Sequence, residues 1–215
     1  MTILAVEFSS EQHSAAVLNA DGELLGRAAE TGARGAFGLI EEALRQASRE
    51  REEIGTIAVG LGPGSYTGIR VAIALAQGWQ LGRGVHVLGL SSVECLAAAA
   101  EREKNCGQVN IIVDAQRNEF YLGRYEIAPG VWRELEPLRL APFAEIESMA
   151  GRGERILGPE APKWFPSARN LHPDAAILGR LAAGRRDFVP GEKLEPIYLR
   201  EVAFKKAPPA RVLND

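Results

Sequence analysis

The stretch Thr56-Ile-Ala-Val-Gly-Leu-Gly-Pro-Gly-Ser-Tyr-Thr-Gly-Ile-Arg-Val-Ala-Ile-Ala-Leu-Ala-Gln-Gly-Trp79 decides the fold. Its opening, Thr56–Leu61, is rich in apolar and β-branched residues and predicts a strand. Gly62-Pro63-Gly64 cannot continue a strand, and a helix is predicted at once over Thr67–Arg83. Strand, glycine turn and helix in this order are the build of an anion-binding loop, with the amides of Ser65, Tyr66 and Thr67 turned outward at a helix N-terminus. Gly62, Gly64, Ser65 and Tyr66 are therefore the candidate anion- or nucleotide-binding residues. The loop has no lysine, and it matches neither the P-loop nor the dinucleotide fingerprint. The same glycines would serve a plain tight turn equally well.

The helix after the loop is apolar on most of its circumference. Val71, Leu75 and Trp79 form one stripe, Ile69, Ala72, Ile73 and Ala76 occupy others, and only Arg70, Gln77 and Gln80 interrupt. Such a helix cannot lie on one sheet and face water elsewhere. Its far side must meet either a neighbouring helix of its own domain or another subunit. Gly68, Ala72, Ala74, Ala76 and Gly78 leave room for close approach.

Upstream, Thr2–Phe8, Ser14–Asn19 and Glu23–Ala29 read as an antiparallel three-strand meander with Asp21-Gly22 in the second turn. A helix over Ala36–Arg51 places Phe37, Ile40, Ala43, Leu44 and Ala47 at the 3.6 period. Downstream, Val85–Leu90 is a strand, and Ser91 or Ser92 caps a helix ending near Arg102. The pattern then restarts. Val109–Asp114, Glu119–Ile127 and Trp132–Leu140 form a second meander. A short helix (Pro142–Ala150), a strand (Arg155–Leu157), a helix (Asp174–Ala183) and a last ordered piece at Pro196–Arg200 follow. Two α/β lobes are expected, 1–104 and 105–215, with the chain from Ala207-Pro208-Pro209 onward fraying.

The chain has 215 residues, is 46% hydrophobic and 25% charged, and carries a net charge of −3. That is an ordinary globular composition without the basic footprint of an autonomous nucleic-acid binder. Its most basic patch, Arg200, Lys205, Lys206 and Arg211, reads as a solvated tail. No signal peptide or membrane span is expected, and Cys95 and Cys106 form no disulfide framework, so a cytoplasmic protein is expected.

Glu7 and Asp114 sit at matching points of the two halves, and each could orient a magnesium ion. The blander readings are a loop-bonding strand end for Glu7, and a hairpin turn with an internal ion pair for Asp114-Ala115-Gln116-Arg117-Asn118. The histidines His13, His86 and His172 have no metal-ligand spacing, so no metal site is expected, and there is no nucleophile elbow. A phosphotransferase using Glu7 and Asp114 with Mg-ATP stays as the enzymatic alternative.

Taken together, Ile3–Val6, Gly62-Pro63-Gly64-Ser65-Tyr66-Thr67-Gly68-Ile69-Arg70, Asp114-Ala115-Gln116-Arg117 with Glu119 and Tyr121, and Glu195-Pro196-Ile197-Tyr198-Leu199-Arg200 resemble the bacterial TsaB (YeaZ) family of tRNA threonylcarbamoyladenosine biosynthesis proteins. The resemblance spans nearly the whole chain. It implies an α/β, actin-like (RNase-H-like) ATPase fold of two lobes. It also implies a non-catalytic partner of TsaD, which carries the metal and ATP chemistry, with the ATPase TsaE joining the pair. Homodimers through N-terminal-lobe helices, tRNA contact only through the complex, and ATP or ADP only at a shared site are implied as well. Where TsaD carries an HxxxH pair, this chain has Ser92 and Leu96. It departs from the family at Glu7-Phe8, usually Asp-Thr, and at Thr31-Gly32-Ala33-Arg34-Gly35, which lacks the usual histidine. The expected interface residues are Phe37, Ile40 and Leu44 on the first helix, and Val71, Leu75 and Trp79 on the second.

Overall fold

The computed structural model describes residues 2–32 and 35–199. The basic tail, the Ala207-Pro208-Pro209 segment, Ala33, Arg34 and the Arg200 end of the C-terminal motif lie outside the described residues.

Two five-stranded sheets are built to one plan. The first holds β1 (Thr2–Glu7), β2 (Gln12–Leu18), β3 (Leu24–Thr31), β4 (Ile54–Gly60) and β5 (His86–Leu90), in the order β3-β2-β1-β4-β5. The second holds β6 (Gly107–Asp114), β7 (Glu119–Ala128), β8 (Val131–Pro142), β9 (Ile156–Gly158) and β10 (Arg169–Asn170), in the order β8-β7-β6-β9-β10. In each, the first three strands run antiparallel and the fourth and fifth join in parallel. This is the duplicated RNase-H-like unit of the actin-like fold, as the sequence led us to expect. The central strands read as continuous apolar runs because both faces of each sheet are covered; Ile3, Leu4, Ala5 and Val6 are all buried.

Helices α1 (Ala36–Ala47) and α2 (Tyr66–Arg83) cover one face of the first sheet. Leu39, Ile40, Ala43 and Leu44 of α1 and Ile69, Ala72, Ile73 and Ala76 of α2 join Leu4, Val6, Val17 and Val59 in one core. Helix α1 stops at Ala47, short of the expected Arg51, because Ser48 turns left-handed (φ 50°). Arg51–Glu53 forms a separate 3-10 turn, closed by reciprocal bonds of Glu50 and Glu53.

The other helices exchange between the halves. Helix α3 (Ser92–Arg102), capped by Ser91, lies before the expected boundary, yet Val93, Leu96, Ala97 and Ala100 pack on Val109, Ile111 and Val113 of the second sheet. Helix α5 (Ala175–Ala183) lies after the boundary, yet Ala175, Leu178 and Ala182 pack on Ile3, Ala5, Leu18 and Leu88 of the first. Helix α4 (Phe143–Gly151) covers the remaining face of the second sheet, with Ile146 and Met149 beside Ile112, Phe120 and Phe165. A cut at 104/105 thus separates the two sheets but not the two packed units. Among the described residues, no helix is long and apolar enough to cross a membrane.

Candidate functional site

The glycine loop is tied to the end of β1. Ser65 N–H donates to Ser9 O (2.7 Å), and Ser65 Oγ accepts from Gly68 N (3.2 Å). A Cβ at Gly64 would stand 2.0 Å from Ser9 O, and one at Gly68 would stand 2.0 Å from Phe8 O. Gly64 is also left-handed at φ +147°, so glycine is required there on two counts. The expectation that the Ser65 amide faces outward is therefore corrected, because the bend that follows β1 holds it through Ser9 O. Gly62 is buried behind the loop, while Gly64, Ser65 and Tyr66 reach the cleft described below.

Glu7 anchors this knot from beneath. Its carboxylate accepts from Ser9 N (2.8 Å) through Oε1 and from Ser92 Oγ (2.9 Å) through Oε2. Ser92 Oγ in turn accepts from Gly62 N (3.1 Å). Burial raises the Glu7 pKa, the Ser9 and Ser92 bonds oppose that rise, and Asp174 adds to it. Gly60 lies so close that a Cβ there would meet Glu7 Oε2 at 2.0 Å. Glu7 is thus the loop-bonding strand end, sealed from solvent.

Between the lobes lies a cleft of about 1010 Å³. Ser9, Ser10 and Tyr66 form one lip, and Asp114, Gln116 and Arg117 form the other. Asp114 accepts from the Gln116 backbone N (2.7 Å) and side-chain Nε2 (3.0 Å), so Gln116 closes this hairpin, where an ion pair to Arg117 was expected. Gln116, Arg117 and Asn118 all have positive φ (63°, 56°, 62°). Three successive left-handed residues other than glycine store strain, a feature that clusters at working surfaces. At the cleft mouth the Arg70 guanidinium lies 3.5 Å from the Tyr66 ring centroid and donates to Tyr198 Oη (2.5 Å). Ile197 N–H donates to Leu61 O (2.9 Å), which seats the C-terminal motif beside the glycine loop. This cluster was not foreseen, although Tyr66, Arg70 and Tyr198 all lie in the quoted motifs.

The two carboxylates of the phosphotransferase alternative do not converge. Asp114 lines the cleft, whereas Glu7 is fully buried. With the Ser65 amide held as well, these residues do not fit a magnesium-nucleotide gripped by Glu7 and the loop. His13 lies within β2 and stacks on Phe8 at 4.7 Å, with its pKa lowered by burial. His86 opens β5 and stacks on Phe188 at 4.3 Å. Among the described residues, no three His, Cys, Asp or Glu side chains are grouped to hold a metal. Cys95 is buried, Cys106 is exposed, and both are free thiols.

The expected contact stripes are only partly at the surface. Ile40 (2% exposed) and Leu44 (5%) point into the lobe's own core, which corrects their assignment as contacts. Leu75 and Trp79 are half-buried against that core, whereas Phe37 is 60% exposed and Val71 39%. The face of α2 turned from the sheet carries Thr67, Val71, Ala74, Gly78 and Leu81, and Leu81 is 92% exposed. A Cβ at Gly78 would meet nothing within 4 Å. Leu81 escaped the sequence reading, although the 4-3-4-3 spacing from Thr67 marks one helical face.

Against known families, residues 27–173 match the model of TsaD, tRNA N6-adenosine threonylcarbamoyltransferase. The chain is 28% identical to the tRNA threonylcarbamoyladenosine biosynthesis protein TsaB of Escherichia coli, over 97% of this chain and 99% of that protein. It is 27% identical to TsaB of Haemophilus influenzae, over 97% and 98%. Among solved structures it is similar to YeaZ from Pseudomonas aeruginosa, with a TM-score of 0.75 and 27% identity over 92% of this chain and 99% of that one.

Proposed function

The chain belongs to the TsaD family as one of its TsaB (YeaZ) proteins, and from that premise we propose that it is a non-catalytic partner subunit for a TsaD-like protein in tRNA threonylcarbamoyladenosine formation. The observation that carries this reading is the bare apolar face of α2. Val71 and Leu81 stand in solvent beside the small residues Ala74 and Gly78. Small residues flanked by exposed aliphatic ones let a second helix approach closely. Phe37 on α1 adds an exposed aromatic ring. In this reading α1 and α2 meet either the TsaD-like subunit or, in its absence, a second copy of this chain. A TsaE-like ATPase joins the pair, tRNA is met only through the complex, and the assembly works in the cytoplasm.

The sealed Glu7 and the held Ser65 amide support the non-catalytic part of the reading, since neither is offered to a nucleotide. The test is co-purification with a TsaD-like protein, using wild type and Leu81→Glu with Val71→Glu. Wild type is expected to pair, and the variant to stay folded and unpaired. A variant that pairs as wild type does would overturn the interface. ATP hydrolysis by the isolated chain would overturn the non-catalytic assignment in favour of a phosphotransferase.

A further inference from the structure

A second cavity, of about 440 Å³, lies where the end of α3 meets the chain that leads into α5. Its wall includes Arg102, Glu103, Asn170, His172 and Asp174. Both acids are already held by arginines. Asp174 accepts from Arg27 Nε (2.8 Å), and Glu103 faces Arg169 at 3.9 Å. Arg102 and the neighbouring Arg180 have no hydrogen-bond or ion-pair partner among the described residues. Burial lowers the Arg180 pKa most, the nearby charge of Arg102 lowers it further, and Asp174 opposes both. Glu11 and Glu160 also act on His172, and Lys163 pairs with Glu160. Counting these with the four arginines, Asp174 and Glu103 leaves an excess of about one positive charge here, in a chain whose net charge is −3.

His172 adds a neutral donor. Glu160 N–H donates to Asn170 Oδ1 (2.8 Å), which turns Asn170 Nδ2 toward His172 Nε2 at 3.0 Å. An amide nitrogen can only donate, so Nε2 is the accepting nitrogen, and the neutral ring carries its proton on Nδ1. That Nδ1 is buried and has no partner. The Arg102 guanidinium lacks an acceptor, and so does the buried Nδ1–H of His172, both residues of the cavity wall; such donors call for oxygen atoms bearing negative charge.

We propose that this cavity is an oxyanion site that takes a phosphate group, with Arg102 as its main ligand, Arg180 adding to its field and His172 donating from Nδ1. The cavity is larger than a bare phosphate needs, so the group arrives on a larger molecule. It is either a backbone phosphate of an RNA strand or the phosphate of a small metabolite. The inference stands on these residues alone and does not depend on the pairing of α2.

The test uses the full chain, first with sodium phosphate against sodium chloride at matched ionic strength, read by thermal melting and calorimetry. Phosphate is expected to raise the melting temperature of wild type. Arg102→Ala should weaken phosphate binding about tenfold, and Arg102→Lys, which keeps charge but loses the fork, should fall between. Should alanine disturb the end of α3, Arg102→Gln makes the same comparison. In a second arm, a labelled single-stranded RNA is titrated over a range of salt. Weaker binding by Arg102→Ala, with a salt slope smaller by about one contact, assigns the phosphate to RNA. Unchanged RNA binding with lost phosphate response assigns it to a small molecule. No phosphate response in wild type, or an equal one in Arg102→Ala, overturns the site.

Discussion

Glu7 and Ser92, 85 residues apart in the chain, share a buried hydrogen bond of 2.9 Å that joins the end of β1 to the first turn of α3. Burial raises the Glu7 pKa from its ordinary 4.5, so the folded protein keeps this carboxyl neutral to higher pH than the unfolded chain does. Its contribution to stability is then fully present below 4.5 and is lost as pH rises through the folded value. Glu7→Gln keeps the shape and removes the titration. Its stability should lie within about 1 kcal/mol of wild type at pH 5 and improve relative to wild type toward pH 8. Glu7→Ala strands Ser9 N–H and the Ser92 hydroxyl and should cost about 2–4 kcal/mol. Urea unfolding at both pH values checks this, and a constant offset between wild type and Glu7→Gln would contradict it.

Two glycines of the same segment should respond oppositely to alanine. Gly64→Ala drives a Cβ into Ser9 O from a left-handed backbone and should destabilise by about 3 kcal/mol or more. Gly78→Ala enters open space in mid-helix and should stabilise the isolated chain by about 0.5–1 kcal/mol. If the bare face of α2 pairs, the added methyl should also weaken pairing. Thermal melts and sedentation of the pair separate the two effects.

A carboxylate at a buried contact candidate and one at an exposed candidate should have different consequences. Ile40→Asp places an unpaired charge in the core beside Leu4 and Val17 and should abolish most of the stability, about 3–5 kcal/mol. Leu81→Asp should change stability by about 0.5 kcal/mol or less, because the side chain is in water. Circular dichroism melts distinguish the two, and loss of fold in Leu81→Asp would contradict the exposed placement.

Tyr198→Ala removes the Arg70 hydrogen bond and a ring near Tyr66, all partly exposed. The global cost should be about 1 kcal/mol or less. The local effect should be larger, with the Ile197 amide, bonded to Leu61 O, exchanging at least several-fold faster. Hydrogen-exchange mass spectrometry of the 194–199 segment reads this directly.

The sheets were legible because the meanders carry their own punctuation, Asp21-Gly22 in the first and the Asp114–Asn118 turn in the second. The direction of a helix was not. A 3.6 period on α1 marks Ile40 and Leu44 as one face without saying whether that face turns to the sheet or to a partner, since both bury apolar surface. On α2 the chosen stripe took steps of four. Each such step advances about 40° around the helix, so Trp79 lies about 80° from Val71, toward the core. The 4-3-4-3 steps through Ala74, Gly78 and Leu81 stay opposite Ile69 and Ala76. At the glycine loop, composition announced amides but not their acceptor, because Ser9 lies in the bend after β1, 56 residues earlier than Ser65. The Arg102–His172 cavity draws on α3 and the approach to α5, and no local pattern joins them.

The exchange of α3 and α5 sets how the molecule can move. Each half lends a helix to the other's sheet, so prising the lobes apart about the 103–106 connection would strip apolar cover from both sheets at once. Any narrowing of the cleft would have to come by shear, with α3 and α5 sliding against each other while their covers stay in place. A protein gripping the outer side of α2 would hold the first sheet like a handle, and its torque would reach the strained 116–118 turn only through that sliding pair.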